Sequence, residues 1–290
     1  MNYVYKEGIA LQNEIEQTVV PDTAVALWQL GQAGIVIKGS APTSDTGNVP
    51  MVAVDPFLSG TNRAENPDNE FIREYNPPIE PEQLAQLTAV LITHHHGDHL
   101  DTKTITRLHH AAKHVKFVVP APHAEILRDA GVADEAIISA RAGEKLELPG
   151  VGVLPIAAAH TVYEQDEAGD HLYLGYLIDM SGISIYHSGD TVVTDTLMDT
   201  VVPLRPQIAI LPVNGSDYER TRRNIVGNMS AREAVDFAVA IKADLLLPNH
   251  YDMFPNNRDN PAHFVDYLFH QQRQQKFHML AVGERFIYLP

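Results

Sequence analysis

The sequence has 290 residues, with 21 Lys and Arg against 37 Asp and Glu, and a formal net charge of −16 at pH 7. So acidic a chain repels the phosphate backbone of nucleic acids, which we therefore exclude as expected partners. The sequence contains no cysteine, so disulfides, thiolate nucleophiles and cysteine-bound zinc are excluded, and any metal site must use histidine and carboxylate ligands.

Domain organisation and location also follow from composition. No Pro-, Gly- or Ser-rich linker divides the chain, so we expect one domain over residues 1–290. No stretch approaches the ~20 apolar residues that cross a bilayer. The first residues lack the basic and apolar pattern of a signal peptide. We predict a cytoplasmic protein that does not bind membranes.

The first quarter of the chain is predicted to be strand-rich. A short surface helix over residues 7–17 precedes strands at 24–30, 34–39 and 50–56, as expected of an antiparallel meander. Asp55 ends the third strand. A long polar segment, residues 60–83, has no clear periodicity, and such a segment either serves an interface or covers a site.

From residue 89 the pattern changes to β/α alternation. A strand at 89–92 is followed by a helix in TKTITRLHHAAK, a strand in KFVVP and a helix in HAEILRDAG. Further strands are predicted at 151–158, 173–180, 183–188, 207–213 and 245–248. A capping box at Ser230 begins a helix with one apolar face: Ala234, Phe237, Ala238 and Ile241. Two strand-rich sheets with interspersed helices indicate an α/β layered sandwich.

Residues 93–101 read THHHGDHLD and follow an apolar strand directly. Alternate side chains of an extended segment point the same way, so His94 and His96 can bind one metal ion while the turn offers Asp98 and His99 to another. Two ions about 3.5 to 4 Å apart activate water and stabilise attacking and leaving oxygens. The cluster favours a hydrolase over a histidine-rich surface loop.

Three later residues each come after an apolar stretch: His160, Asp190 and His250. Taken singly, the histidines would be ordinary buried side chains and the aspartate a turn residue. Because strand ends along one edge of a sheet converge, their ordered recurrence predicts one site with the 94–99 cluster.

The ordered set of Asp55, THxHxDH, His160, Asp190 and His250 resembles the metallo-β-lactamase superfamily. The resemblance implies a four-layer αββα sandwich, with two mixed sheets, helices on the outer faces and a dinuclear site at the edge.

The same resemblance assigns a role to each of these side chains. It implies a first metal ion held by His94, His96 and His160. It implies a second ion held by Asp98, His99 and His250, and a bridge at Asp190. Asp55 would orient a ligand, since carboxylates fix the tautomer of metal-bound histidines.

Longer segments resemble the bacterial L-ascorbate-6-phosphate lactonase branch of the superfamily. They are NEIEQTVVPDTAVALWQLGQAGIVIKG, YHSGDT, NGSDYERTRRNIVGNMSAREA and LLLPNHYDMF. The stretch between His160 and Asp190 is shorter than this branch leads us to expect. The resemblance implies a lactonase that acts on a phosphorylated sugar-acid lactone such as L-ascorbate 6-phosphate, with two divalent ions, Mn²⁺ or Zn²⁺.

The predicted mechanism is attack on the lactone carbonyl by a hydroxide that bridges the two ions. Asp98 would take the proton and pass it to the leaving alkoxide. The substrate would be a small anion, and Arg220, Arg222 and Arg223 form the densest basic cluster that could bind its phosphate. An exposed, salt-bridged loop or a subunit contact is the alternative for these arginines. Tyr251 either touches substrate or packs.

Two other functions stay open. A phosphodiesterase acting on a small phosphodiester would use the same pair of ions. A noncatalytic metal-dependent binding protein would need no carboxylate placed to move protons, so Asp98 argues against it. The resembling lactonases assemble, so a homo-oligomer is a further possibility.

Overall fold

The computed structural model describes residues 4–41, 49–60 and 71–290, and within these ranges the strands form two seven-stranded sheets. Residues 61–70 of the polar segment predicted at 60–83 lie outside the described residues. In the part of the chain that the structure describes, no helix is long and apolar enough to cross a bilayer.

The first sheet is mixed, with strand order β14-β1-β2-β3-β4-β5-β6. Pairing is antiparallel from β14 to β3 and parallel from β3 to β6. Its strands are β1 (Val25–Gly31), β2 (Gly34–Gly39), β3 (Met51–Val54), β4 (Ala89–Leu91), β5 (Lys116–Pro120), β6 (Ile137–Ala140) and β14 (Arg285–Tyr288).

The second sheet is also mixed, with strand order β13-β12-β11-β10-β9-β8-β7. Pairing is parallel from β13 to β10 and antiparallel from β10 to β7. Its strands are β7 (Leu146–Leu148), β8 (Val151–Ala157), β9 (Leu174–Met180), β10 (Ile183–His187), β11 (Ile208–Pro212), β12 (Leu245–Asn249) and β13 (Lys276–Phe277).

Six of the seven α-helices of the described residues cover the outer faces of the sheets. The seven helices are α1 (Gly8–Gln17), α2 (Thr102–Ala111), α3 (Ala124–Asp129), α4 (Asp195–Val201), α5 (Tyr218–Arg222), α6 (Ala231–Ala240) and α7 (Pro261–Gln271). Side chains of α1, α2 and α3 pack with the first sheet, and those of α4, α6 and α7 pack with the second.

Strand periodicity produces the layers. In β1, Ala26 and Trp28 belong to the core under the helices, whereas Val25 and Leu27 belong to the core between the two sheets. Successive strand residues point to opposite faces, so a strand that is buried on both sides must be apolar at every position. The result is helix, sheet, sheet, helix, which confirms the predicted four-layer αββα sandwich.

Local signals account for several elements. The capping box at Ser230 is present, with Ser230 N–H donating to the Glu233 carboxylate at 2.8 Å, and the predicted apolar face of α6 is buried. Predicted strand ends differ from the observed ones by at most two residues. Four strands were not predicted, β6, β7, β13 and β14, because runs of two to four residues are too short to show a period.

Candidate metal centre

The predicted ligands lie in loops that leave the carboxyl ends of strands in both sheets. The 94–99 cluster follows β4, His160 follows β8, Asp190 follows β10 and His250 follows β12. Parallel strands that end at one edge bring their loops together there. All seven predicted ligands fall into three overlapping groups, in each of which the ligand atoms lie within 4.8 Å of one another: His94, His96 and His160; His94, His99 and Asp190; Asp98, His99 and His250.

The first group consists of neutral imidazoles. Nε2 of His94 lies 2.9 Å from Nδ1 of His96, and the ring of His160 lies 5.1 Å from that of His96. The Tyr173 ring packs 5.3 Å from both His94 and His160. Burial lowers the pKa of His94 and His160 and brings the pKa of His96 to about 4. Nitrogen lone pairs are therefore available at neutral pH, as a cation requires.

Asp98, His99 and His250 form what we call the second group. Oδ2 of Asp98 lies 3.6 Å from Nε2 of His99 and 3.5 Å from Nε2 of His250. Asp190 lies between the same two rings, with Oδ1 3.5 Å from His99 and Oδ2 3.1 Å from His250. Asp190 also groups with His94, so its carboxylate lies where the resemblance implies a bridge.

Electrostatics favour positive charge in the second group. Burial opposes protonation of His99 and His250, but the carboxylates of Asp190 and Asp98 outweigh it and raise the pKa of His99 well above its usual value and that of His250 to about 9. Burial likewise opposes ionisation of Asp98 and Asp190, yet the adjacent histidines hold the pKa of both carboxyls below the usual range. The metal-free chain thus carries protons where cations would bind.

Asp55 holds His99 and Thr93 in place by accepting hydrogen bonds from both. Its Oδ2 accepts from Nδ1 of His99 at 2.7 Å and from the Thr93 hydroxyl at 2.6 Å, and its Oδ1 accepts from the Thr93 N–H at 2.8 Å. The carboxylate is fully buried. A proton held on Nδ1 leaves Nε2 of His99 facing the other ligands, which is the orienting role predicted for Asp55.

Several residues at the centre have left-handed backbone conformations. The φ angles are 43° at Asp55, 60° at His250, 72° at Thr161 and 54° at Gln32. Non-glycine residues in this region cost about 1 to 3 kcal/mol each and persist where surrounding structure holds them. Gln32, in the turn between β1 and β2, is 1% exposed, and its Nε2 donates to Oδ2 of Asp98 at 2.8 Å.

Unpartnered polar atoms indicate how well these residues suit a metal. Among the described residues, the buried atoms without a hydrogen-bond partner include Nε2 of His99, Nδ1 of His160 and Oδ1 of Asp190. Buried polar groups normally find partners, and bound cations would provide partners for these three atoms. Imidazole and carboxylate ligands without sulfur suit zinc, manganese or iron(II). The His/Asp groups could therefore bind metal ions.

A pocket of about 550 Å³ opens over the centre. His96, Asp98, His160, Asp190 and His250 form its floor. Its walls are partly aromatic and partly polar, and they include Phe57, Phe71, Phe254, Ser59, Lys103 and Asn257.

The three predicted arginines do not line this pocket. Arg220 forms an ion pair with Asp217 at 2.6 Å, and Arg222 forms one with Glu219 at 2.6 Å. Arg223 lies just after α5, outside the lining. This geometry matches the alternative of a salt-bridged loop. The prediction of phosphate binding by Arg220, Arg222 and Arg223 therefore finds no support in the pocket.

Tyr251 is likewise absent from the lining and packs with the core of the second sheet and its helices, while burial raises its pKa. Lys103, in the first turn of α2, is the one lysine or arginine among the described lining residues. Sequence reasoning missed Lys103, Thr93 and Gln32. The signal for Thr93 was its place directly before the cluster, and that for Gln32 was a polar residue in a Gly-containing turn.

Comparisons with known proteins agree with this geometry. The family model described as a Beta-lactamase superfamily domain matches residues 51–251. A UPF0173 metal-dependent hydrolase of Archaeoglobus fulgidus is 29% identical over 243 residues, covering 81% of this chain and 87% of the relative. A probable L-ascorbate-6-phosphate lactonase UlaG of Shigella boydii is 24% identical over 286 residues, covering 88% of this chain and 77% of the relative.

Among solved structures, Igni18, a metallo hydrolase from Ignicoccus hospitalis, matches with a TM-score of 0.63 and 22% identity, covering 92% of this chain and 99% of that one. The family match spans more than half of the chain and includes every ligand group of the centre. The chain therefore belongs to the metallo-β-lactamase superfamily and is a metal-dependent hydrolase.

Proposed function

We propose that this enzyme is a lactonase that opens a small anionic lactone, of which a phosphorylated sugar-acid lactone such as L-ascorbate 6-phosphate is the specific candidate. The observation that carries the proposal is the position of Asp98. Its side chain is 21% exposed at the pocket floor, whereas those of His99, His250 and Asp190 are at most 5% exposed. Asp98 is thus the carboxylate of the second group that a substrate reaches most readily.

Two divalent ions, Mn²⁺ or Zn²⁺, held by the His/Asp groups would lower the pKa of bound water and polarise the substrate carbonyl. Oδ2 of Asp98 faces His99, His250 and Gln32, so Oδ1 is the oxygen that can exchange a proton with substrate. As water attacks the carbonyl, Asp98 accepts the proton that the water loses and then donates it to the departing alkoxide. The histidines of the first group, which burial keeps neutral, supply no competing acid.

The anion of the substrate is placed at Lys103 in this proposal. Lys103 lines the pocket from the first turn of α2, where the helix dipole also favours negative charge. The lactonase relatives with 24% identity cover most of the chain and favour the phosphorylated lactone. The aromatic walls at Phe57 and Phe254 would shield the reacting carbonyl from bulk water.

The decisive experiment offers metal-loaded enzyme L-ascorbate 6-phosphate, a panel of unphosphorylated lactones and bis-p-nitrophenyl phosphate. We expect ring opening, with the phosphorylated lactone turned over best. Asp98→Asn keeps the side-chain shape and removes the proton acceptor, so it should lower kcat more than it raises KM. The matched control is Asp244→Asn, remote from the centre, where the carboxylate pairs with Lys276 at 2.6 Å.

Other outcomes would favour the alternatives. Cleavage of the phosphodiester without lactone opening would replace the lactonase by a phosphodiesterase acting on a small phosphodiester. Turnover of neither class, with substrate still bound, would indicate the noncatalytic metal-dependent binding protein.

A further inference from the structure

The carboxamide of Gln32 occupies an unexpected place in the second ligand group. Its Nε2 lies 2.8 Å from Oδ2 of Asp98 and 3.0 Å from Nε2 of His250. Both atoms belong to residues of that group, whose third member is His99. The orientation of the amide follows from chemistry, because an amide oxygen in this position would face the Asp98 carboxylate with no proton to share.

The fold holds Gln32 in this position. Its own backbone oxygen accepts from the His250 N–H at 3.1 Å and from the Gln29 side chain at 3.2 Å. The backbone of Gln32 has a left-handed φ of 54°, and its side chain is buried. The backbone hydrogen bond connects Gln32 to the loop that carries His250. The first ligand group, His94, His96 and His160, has no amide nitrogen within hydrogen-bond distance among the described residues.

We propose that the Gln32 carboxamide competes with the second cation for Oδ2 of Asp98, so that the two ions bind in sequence with unequal affinity. An N–H group carries partial positive charge and cannot bind a cation. A second ion can bind only when this side chain turns away or presents Oε1. The first group fills without that cost, and the enzyme passes through a state with one ion. The inference rests on the metal centre and is independent of the substrate.

The test titrates metal-stripped protein with MnCl₂ and counts bound Mn²⁺ by electron paramagnetic resonance, with no activity assay. The wild-type chain should bind one ion tightly and a second at least about ten-fold more weakly, the scale of one hydrogen bond to a charged group. Gln32→Ala should tighten the second ion by about ten-fold and leave the first unchanged. Gln32→Gly, which suits the left-handed backbone, should do the same if alanine disturbs folding.

The sign of the effect separates this proposal from a simpler one. If Gln32 only orients Asp98, Gln32→Ala should weaken the second ion. The matched control is Gln275→Ala, the same truncation remote from the centre, where the amide donates only to the backbone oxygens of Ala243 and Lys276. Two equally tight ions in the wild type, weaker or unchanged binding in the Gln32 variants, or an equal effect of Gln275→Ala would overturn the inference. No Mn²⁺ binding at all would overturn the metal centre together with it.

Discussion

Nδ1 of His99 lies 2.7 Å from Oδ2 of Asp55, and both side chains are fully buried. This pair fixes the tautomer of a histidine that belongs to two of the ligand groups. Asp55→Asn should lower metal affinity by about 10- to 100-fold, the usual cost of losing such a partner. Competition with a chelator measures the loss. Circular dichroism should show a folded chain, and equal affinity in wild type and variant would contradict the orienting role.

His96 offers a test of the first ligand group with little risk to the fold, because it is more exposed than His94 or His160. His96→Ala should lower hydrolysis by about 100-fold or more, since a ligand should matter at least as much as its outer partner. Metal content should fall with activity. His95→Ala, which removes the exposed neighbour outside the ligand groups, is the control. Unchanged activity in the His96 variant would refute the proposed ligand set.

Metal binding should release protons from the second group. At pH 7 the metal-free chain keeps His99 and His250 protonated, whereas the histidines of the first group are neutral. Ligands must be deprotonated to bind a cation. Calorimetric titration in buffers of different ionisation enthalpy should therefore detect proton release for the second ion and none for the first. The same release for both ions would show that the electrostatic asymmetry is absent.

The stability of the metal-free protein should fall at alkaline pH. The folded-state pKa of His250, about 9, lies above its unfolded value, so its contribution is complete below pH 6.5 and is lost as pH rises through 9. The free energy of unfolding should drop by up to about 3 kcal/mol between pH 6.5 and 9.5. Urea titrations measure this. His250→Gln should reduce this drop in the free energy of unfolding. A wild-type stability independent of pH in this window would contradict the prediction.

Arg220 should affect substrate binding indirectly, through a residue of the pocket wall. Its guanidinium donates to the backbone oxygen of Asn214 at 2.8 Å and to Oδ1 of Asn257 at 3.3 Å, and Asn257 lines the pocket. Arg220→Ala should raise KM by roughly 2- to 10-fold for charged and uncharged lactones alike, the scale of a lost hydrogen bond. Arg222→Ala is the matched control. A rise confined to phosphorylated substrates would instead restore the arginine as a phosphate ligand.

Lys103, unlike Arg220, should affect the binding of charged lactones only. Its side chain lines the pocket beside the centre, and Lys103→Met removes the charge while keeping most of the length. KM should rise for phosphorylated lactones and stay unchanged for neutral ones, because only the former lose an ionic contact. Steady-state kinetics with both substrates decide the matter. An equal change for both would place the anion elsewhere.

Sequence reasoning recovered the ligands because their signals are local. The 94–99 cluster is contiguous, and each remaining ligand ends an apolar run, so strand ends indicated where His160, Asp190 and His250 would meet. Gln32 was missed because its contact with Asp98 spans 66 positions of sequence and depends on a φ angle that composition does not reveal. The local patterns of a single sequence give no signal for a long-range contact of this kind.

The sequence also carries a signal for the ion pairs of the arginine cluster. Asp217 precedes Arg220 by three positions, and Glu219 precedes Arg222 by three, which is the spacing of ion pairs on a helix. In each pair the carboxylate neutralises the arginine, so little positive charge is left to attract an anionic ligand. Counting basic residues without their acidic neighbours overstated the positive potential of this segment.

The distribution of ligands over the two sheets has a mechanical consequence. The 94–99 cluster belongs to the first sheet, whereas His160, Asp190 and His250 belong to the second. An ion bound to side chains from both would cross-link the two sheets at this edge of the sandwich. Because chelation removes that cross-link, it should lower the free energy of unfolding as well as abolish activity.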